Sequence, residues 1–93
     1  MHRIIIALLL CTSVAAASER QDFCNQMQQV AQAAMTARQA GVPLQTMLQL
    51  VSDETAIGIF RESYKYPKQE SDADKESSIL SFSKLVLTAC LNQ

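Results

Sequence analysis

The residues that could do chemistry are few in this sequence, and the scarcest of them is histidine. The one histidine, His2, lies within an N-terminal segment that has the features of a removable leader. The mature chain would then have no imidazole for a Ser–His or Cys–His nucleophile pair or for a metal site. The two glycines, Gly41 and Gly58, are too few and too far apart for a phosphate-binding loop. The sequence therefore favours a protein that is not an enzyme, with no metal and no cofactor.

Carboxylates are the other possible catalytic groups, and they occur in two clusters. The first is Asp53 with Glu54, and the second consists of Asp72, Asp74 and Glu76. Paired carboxylates can hydrolyse glycosidic bonds or bind calcium, so a small glycan-cleaving hydrolase is a third hypothesis for the function. Both clusters stand where a helix is predicted to begin, and negative charge is favourable at that end of the helix dipole. We favour this helix-start interpretation.

Three cysteines complete the reactive set. Cys11 lies in the leader, where the bulky Leu10 before it weighs against lipid attachment. Cys24 and Cys90 remain, 66 residues apart. Two thiols alone do not fill a tetrahedral zinc site, and a redox-active pair is normally close in sequence, as in Cys-x-x-Cys. In an exported chain, two cysteines indicate one structural disulfide.

Residues 1–17 have the pattern of a secretory signal peptide. After a basic start, an apolar run covers Ile4–Cys11, and Ala15 and Ala17 occupy the two small-residue positions before a cleavage site. The apolar run is shorter than the roughly 20 residues that a bilayer-spanning helix needs. We therefore expect cleavage after Ala17, a protein that is periplasmic or secreted, and no stable membrane anchor.

The mature chain, residues 18–93, is predicted to be a single domain. Loss of Arg3 with the leader leaves seven basic residues against nine acidic ones, a net charge of −2. The sequence has no basic cluster that would bind the phosphates of a nucleic acid. A domain of this size has a small core. A disulfide that closes most of the chain contributes on the order of 4 kcal/mol in the loop-entropy model.

Apolar residues at steps of three and four predict helices, and no strand-like alternation occurs. The first helix covers Glu19–Ala40, with Ser18 as its N-cap. It ends at Gly41, because glycine adopts the left-handed conformation of a helix C-terminus without strain. A short second helix runs over Pro43–Val51, since proline suits the first position of a helix.

Two more helices follow. The third begins at Ser52 or Asp53 and runs to about Tyr66, before the break that Pro67 imposes. Ser71 or Asp72 caps the last helix, which continues to about Leu91. Besides its main apolar stripe, the last helix carries three further leucines that widen the stripe, so we expect it to pack on two neighbours. These residues are Leu80, Leu87 and Leu91.

The predicted disulfide constrains how the helices pack. Cys24 lies near the start of the first helix and Cys90 near the end of the last, so a bond between them places these two helices antiparallel. The sequence thus predicts an all-α fold, a small bundle of about four helices closed by one disulfide. Two helices are long and antiparallel, and two short ones cap their shared groove.

Several short motifs resemble those of a group of small exported bacterial and phage-encoded proteins of unknown function. The resemblance rests on Cys24, the run Arg38-Gln39-x-Gly41-Val42-Pro43, the pair Tyr64-x-x-Pro67, and Phe82-x-x-x-Val86-x-x-x-Cys90. These motifs cover most of the mature chain. The resemblance implies export and supplies no activity.

Four residues are candidates for a surface that contacts a partner. Arg38 and Gln39 precede the glycine turn, and Tyr64 and Tyr66 end the third helix; tyrosine and arginine are enriched at interfaces. A structural interpretation competes with this one, because Arg38 suits a helix C-terminus and a tyrosine ring can pack half-buried on the bundle.

Two functions from different classes follow from these observations. The first is an exported, non-catalytic helical module that binds a protein partner. The alternative is a periplasmic stress chaperone of the acid-activated type, since such proteins are also small, exported, helical and held by one disulfide. In that alternative, protonation of the carboxylates at low pH would release the apolar faces of the bundle.

Overall fold

A computed structural model describes the backbone of residues 2–93 and the side chains of residues 16–93. The chain forms four α-helices, α1 (His2–Gln39), α2 (Leu44–Leu48), α3 (Glu54–Ser63) and α4 (Asp72–Leu91). The described residues contain no strand. The signal-peptide prediction for residues 1–17 lies almost entirely outside the described side chains. Within the part that is described, no helix is both long and apolar enough to cross a membrane.

The two long helices are antiparallel, as predicted. Cys24 near the middle of α1 is bonded to Cys90 in the last turn of α4, with their Cα atoms 5.6 Å apart. Further along α1, Ala31 and Met35 form the central cluster of the core with Phe82 of α4. Apolar side chains on three sides of this cluster complete it; they are Ile59, Ile79 and Val86. The predicted all-α fold closed by one disulfide is confirmed.

The two short helices do not share the position that was expected for them. Helix α3 packs directly on α1, whereas α2 contacts α3. Helix α4 packs mainly on α1, and Ile59 of α3 packs against the core cluster that includes Phe82 of α4. The outer face of α4 is uncovered by the described residues, and Leu80 and Leu85 are 54% and 53% exposed. The five residues of α2 are too few to cover the outer face of a 20-residue helix.

Both acidic clusters lie at helix starts, with Glu54 in the first turn of α3 and Asp72 and Asp74 in the first turn of α4. The carboxylate of Asp53 caps α3 by accepting a hydrogen bond from the amide of Ala56 at 3.0 Å. Ser71 caps α4 by accepting from the amide of Asp74 at 3.1 Å. The N-cap that was expected at Ser18 is not formed, because α1 is already helical before that residue.

The turn after α1 has the hydrogen bonds of a Schellman motif. The amide of Val42 donates to the carbonyl of Ala37 and the amide of Gly41 to that of Arg38, both at 3.1 Å. Gly41 has φ +80° and is the one residue with a positive φ in the described chain. The sequence-based prediction of a left-handed glycine at this C-terminus is therefore confirmed.

The two glycines should respond in opposite directions to alanine. Gly41→Ala forces a Cβ into the left-handed region and should lower the free energy of unfolding by about 1–2 kcal/mol. Gly58 lies inside α3, and a Cβ there would meet nothing within 4 Å. Gly58→Ala should therefore raise the free energy of unfolding, by up to about 1 kcal/mol.

Urea denaturation followed by circular dichroism measures both effects. At the turn itself, Gly41→Val should destabilise more than Gly41→Ala, and Gly41→Asn less, because asparagine tolerates positive φ. An added Cβ at Gly41 would also lie 2.9 Å from Nζ of Lys68, but that flexible end can move away. A neutral Gly41→Ala would contradict the turn geometry.

Candidate functional site

The four residues predicted as a partner surface lie together where α1 ends. The connection from α3 to α4 passes over this end of α1. Arg38 and Gln39 reach from the last turn of α1 to the backbone of this connection, and Tyr64 and Tyr66 belong to it. The four side chains have different surroundings.

Gln39 is not a surface residue. Its side chain is 2% exposed, and its amide nitrogen donates to the carbonyl of Pro67 at 3.0 Å. Its amide oxygen accepts from the backbone N–H of Gln69 at 2.7 Å. One side chain thus holds both ends of a three-residue segment of the connection. This arrangement leaves Gln39 no polar atom for a partner and makes it a structural clamp.

Arg38 and Tyr64 hold the same connection from the other side. Nε of Arg38 donates to the carbonyl of Tyr66 at 3.0 Å, and its guanidinium carbon lies 5.6 Å from the centre of the Tyr64 ring. The Tyr64 hydroxyl donates to the carbonyl of Val42 at 2.6 Å. Burial raises the pKa of this hydroxyl, and the positive charge of Arg38 acts in the opposite direction. The hydroxyl therefore keeps the proton that it donates to the turn.

Tyr66 is the most accessible of the four residues. Its ring is 38% exposed and meets Phe82 edge to face, with 5.5 Å between the ring centres. This contact makes Tyr66 one wall of an open depression of about 370 Å³ between the connection and α4. Of the predicted surface residues, only Tyr66 lines it.

The depression has an apolar floor and a hydroxyl rim. Met35 and Phe82 form the floor and are 1% and 3% exposed. Leu85 forms part of the wall and is 53% exposed. The remaining lining residues are serines of α4, and they are Ser77, Ser78 and Ser81. Sequence reasoning missed the serines and Leu85, although Ser78, Ser81 and Leu85 already share one helical face by their spacing.

A second, smaller depression lies at the opposite end of the bundle. Its volume is about 230 Å³, and it lies between α1, α3 and α4. Ile59 and Val86 line it, together with the exposed ring of Phe23 and the disulfide residue Cys90. It is therefore the point at which the disulfide meets the surface.

The described side chains contain no evident catalytic arrangement. No three His, Cys, Asp or Glu side chains among them lie close enough together to hold a metal ion. In the same part of the chain, every buried side-chain nitrogen or oxygen has a hydrogen-bond partner. The first depression offers apolar contact and neutral hydroxyls.

No family model, curated protein or solved structure matches this chain.

Proposed function

We propose that this protein is an exported, non-catalytic binding module that holds an apolar segment of a protein partner in the depression beside Tyr66. The observation that carries the proposal is the combination of a buried apolar floor, Met35 and Phe82, with exposed apolar walls, Tyr66 and Leu85. Exposed apolar side chains grouped around a concavity are typical of binding sites, whereas isolated ones are common on any surface.

The site is rigid before a partner arrives. The disulfide holds α1 to α4 at one end of the bundle, and the Gln39 clamp holds the connection to α1 at the other. Tyr66 directly precedes the clamped segment, and its carbonyl also accepts a hydrogen bond from Arg38, so its backbone is held beside Phe82. A preformed site loses less conformational entropy on binding and so binds more tightly for the same contacts.

The lining residues indicate the chemistry of the occupant. None of the side chains that line the depression is charged, so a phosphorylated or strongly acidic ligand would leave its charge unpaired. Serine hydroxyls can pair with the backbone groups of a peptide, and the floor accepts an apolar side chain. The best match is a helix or extended segment whose leucine-like or aromatic residues act as anchors.

Leu85 and Leu80 form a matched pair for testing this site. Both are leucines of α4, and they are 53% and 54% exposed, but only Leu85 lines the depression. A photoreactive phenylalanine analogue at position 85 should crosslink to a discrete exported protein. The same analogue at position 80 should give at most about one fifth of that product, because interface energy concentrates in pockets.

A third variant separates specific docking from chance capture. Ser81→Trp fills the depression while the photoreactive residue stays at position 85, and it should abolish the crosslink formed from that position. Equal products from positions 80 and 85, or a product that survives Ser81→Trp, would contradict docking at this site.

Export is the second part of the proposal, and it rests on the leader pattern of residues 1–17. The disulfide supports it, because such bonds are typical of oxidising, extracytoplasmic compartments. Intact-mass spectrometry of the protein from the periplasm or medium should give a chain that begins at Ser18, within one residue. A product that retains Met1 would contradict export through a cleaved leader.

The acid-activated chaperone is not favoured by the contacts of the acidic residues. Glu62 forms an ion pair with Lys65 at 3.0 Å, but both side chains are more than half exposed. Protonation would remove this pair, which contributes at most about 1 kcal/mol, and weaken the Asp53 cap, which contributes about 0.5–2 kcal/mol. Suppression of aggregation by the protein at pH 3 but not at pH 7 would favour the chaperone over the binding module.

A further inference from the structure

We propose that Cys90 is the sulfur through which the disulfide of the folded protein exchanges with external thiols, with Cys24 as the buried leaving group. The proposal concerns the second depression, at the end of the bundle opposite the Tyr66 site. It does not depend on the proposed binding function.

The two halves of the disulfide differ in accessibility. Cys24 is 0% exposed, covered by the helices around it. Cys90 is partly exposed and lines the depression of about 230 Å³, whose wall does not include Cys24. Thiol–disulfide exchange requires a thiolate to reach one sulfur directly. Of the two cysteines, Cys90 is the one that lines a surface depression, and this carries the proposal.

A cationic side chain lies at the same end of the bundle as the disulfide. Arg20 lies one turn before Cys24 in α1, and its guanidinium donates hydrogen bonds to the backbone oxygens of Leu91, at 2.8 Å, and Gln93. Leu91 and Gln93 follow Cys90 in the chain, so these bonds hold the guanidinium beside the end of α4 that carries Cys90. Neighbouring cationic groups stabilise thiolates, and the approach of an anionic nucleophile is favoured for the same reason.

In the exchange step, an external thiolate forms a new S–S bond to Sγ of Cys90 while the Cys24–Cys90 bond breaks. Sγ of Cys24 leaves with the electron pair and takes a proton from water. The reverse reaction, attack by the Cys24 thiolate on Cys90, closes the ring and releases the external thiol.

The class of partner follows from this chemistry. A thiol–disulfide oxidoreductase that closes or opens this bond in the folded chain would form its mixed disulfide with Cys90. The depression around Cys90 is open and mostly apolar, and the ring of Phe23 beside it is 49% exposed. The segment of the partner that carries the attacking thiol would pack against these apolar side chains. Glutathione and dithiothreitol can replace the enzyme as probes.

A bulky side chain placed beside Cys90 in the disulfide-bonded protein tests whether external thiols attack this sulfur. Ala89 lines the depression and Thr88, its exposed neighbour, does not. Ala89→Trp should slow reduction by dithiothreitol at pH 8 by at least about fivefold, because it blocks access to the attacked sulfur. The disulfide of the Thr88→Trp variant should be reduced at the wild-type rate. Equal rates for the two variants, at equal thermal stability, would overturn the proposal.

Single-cysteine variants give an independent measurement. Cys24→Ser leaves the accessible thiol of Cys90, and Cys90→Ser leaves the buried thiol of Cys24. Glutathione disulfide should modify Cys90 at least about tenfold faster than Cys24 in water, and at similar rates in 6 M guanidinium chloride, where burial is lost. Faster modification of Cys24 in water would overturn the proposal. If circular dichroism shows both variants unfolded in water, the reduction rates of the tryptophan variants alone decide whether Cys90 is the attacked sulfur.

Discussion

Replacing either cysteine of the disulfide by serine is expected to lower the free energy of unfolding by about 2–5 kcal/mol, the range seen for native disulfides of small domains. The bond between Cys24 and Cys90 spans 66 residues, so its loss greatly increases the entropy of the unfolded chain. The core cannot compensate, because its central cluster consists of Ala31, Met35 and Phe82 with three partly buried neighbours. Stabilities of small domains are themselves only several kcal/mol.

Guanidinium denaturation of both single variants and of the double variant measures this effect. All three should unfold at similar denaturant concentrations, since any one change opens the same ring. The wild-type protein in reducing buffer should behave as they do. A titration that finds free thiols in the oxidised protein, or a double variant much less stable than either single one, would contradict the stabilising role of the bond.

The second large effect is expected at Gln39. Gln39→Ala removes both hydrogen bonds to the α3–α4 connection and leaves the carbonyl of Pro67 and the N–H of Gln69 without partners. Two lost hydrogen bonds and the desolvation of the orphaned groups should together lower the free energy of unfolding by about 2–4 kcal/mol. Gln26, exposed on the same helix, is the control, and Gln26→Ala should change stability by less than about 0.5 kcal/mol.

Gln39→Glu tests the same clamp through its pH dependence. The ionised carboxylate can accept from the N–H of Gln69 but cannot donate to the carbonyl of Pro67. Once protonated, it can do both. The folded state therefore favours the protonated acid, and the pKa of the introduced glutamate should lie above its unfolded value of about 4.3. Relative to wild type, this variant should be nearly as stable below pH 4 and lose stability as pH rises.

Thermal melts of Gln39→Glu and wild type between pH 3 and pH 8 show whether this occurs. The difference in melting temperature should widen toward neutral pH, and Gln26→Glu should show no such widening. A Gln39→Glu variant as stable as wild type at pH 7 would mean that the amide does not donate to Pro67.

The features of the fold that the sequence predicted correctly are those set by local chemistry. Helix starts follow from short polar side chains that satisfy free amides a few residues away, as at Asp53 and Ser71. The end of α1 follows from the conformational freedom of Gly41. The disulfide could be predicted from the number of cysteines, because only Cys24 and Cys90 remain once the leader is removed.

The candidate site was predicted only in part, because residue type does not reveal which side of a helix a later segment will cross. Arg38, Gln39, Tyr64 and Tyr66 were named as candidates for a partner surface, and Gln39 among them is buried. The burial of Gln39 depends on the path of the connection near Pro67, 28 residues further along the chain. No local pattern specifies that path.

By itself, then, the sequence determined four helices, their approximate ends, the disulfide and the antiparallel arrangement that the disulfide imposes. Only the tertiary structure decided that α1 packs against both α3 and α4, and that α2 contacts α3. It also decided which leucine of α4 borders a concavity, since Leu80 and Leu85 are equally exposed and chemically identical. The physical reason is that helix formation and capping are governed by neighbours within about one turn, whereas burial depends on contacts between residues distant in sequence.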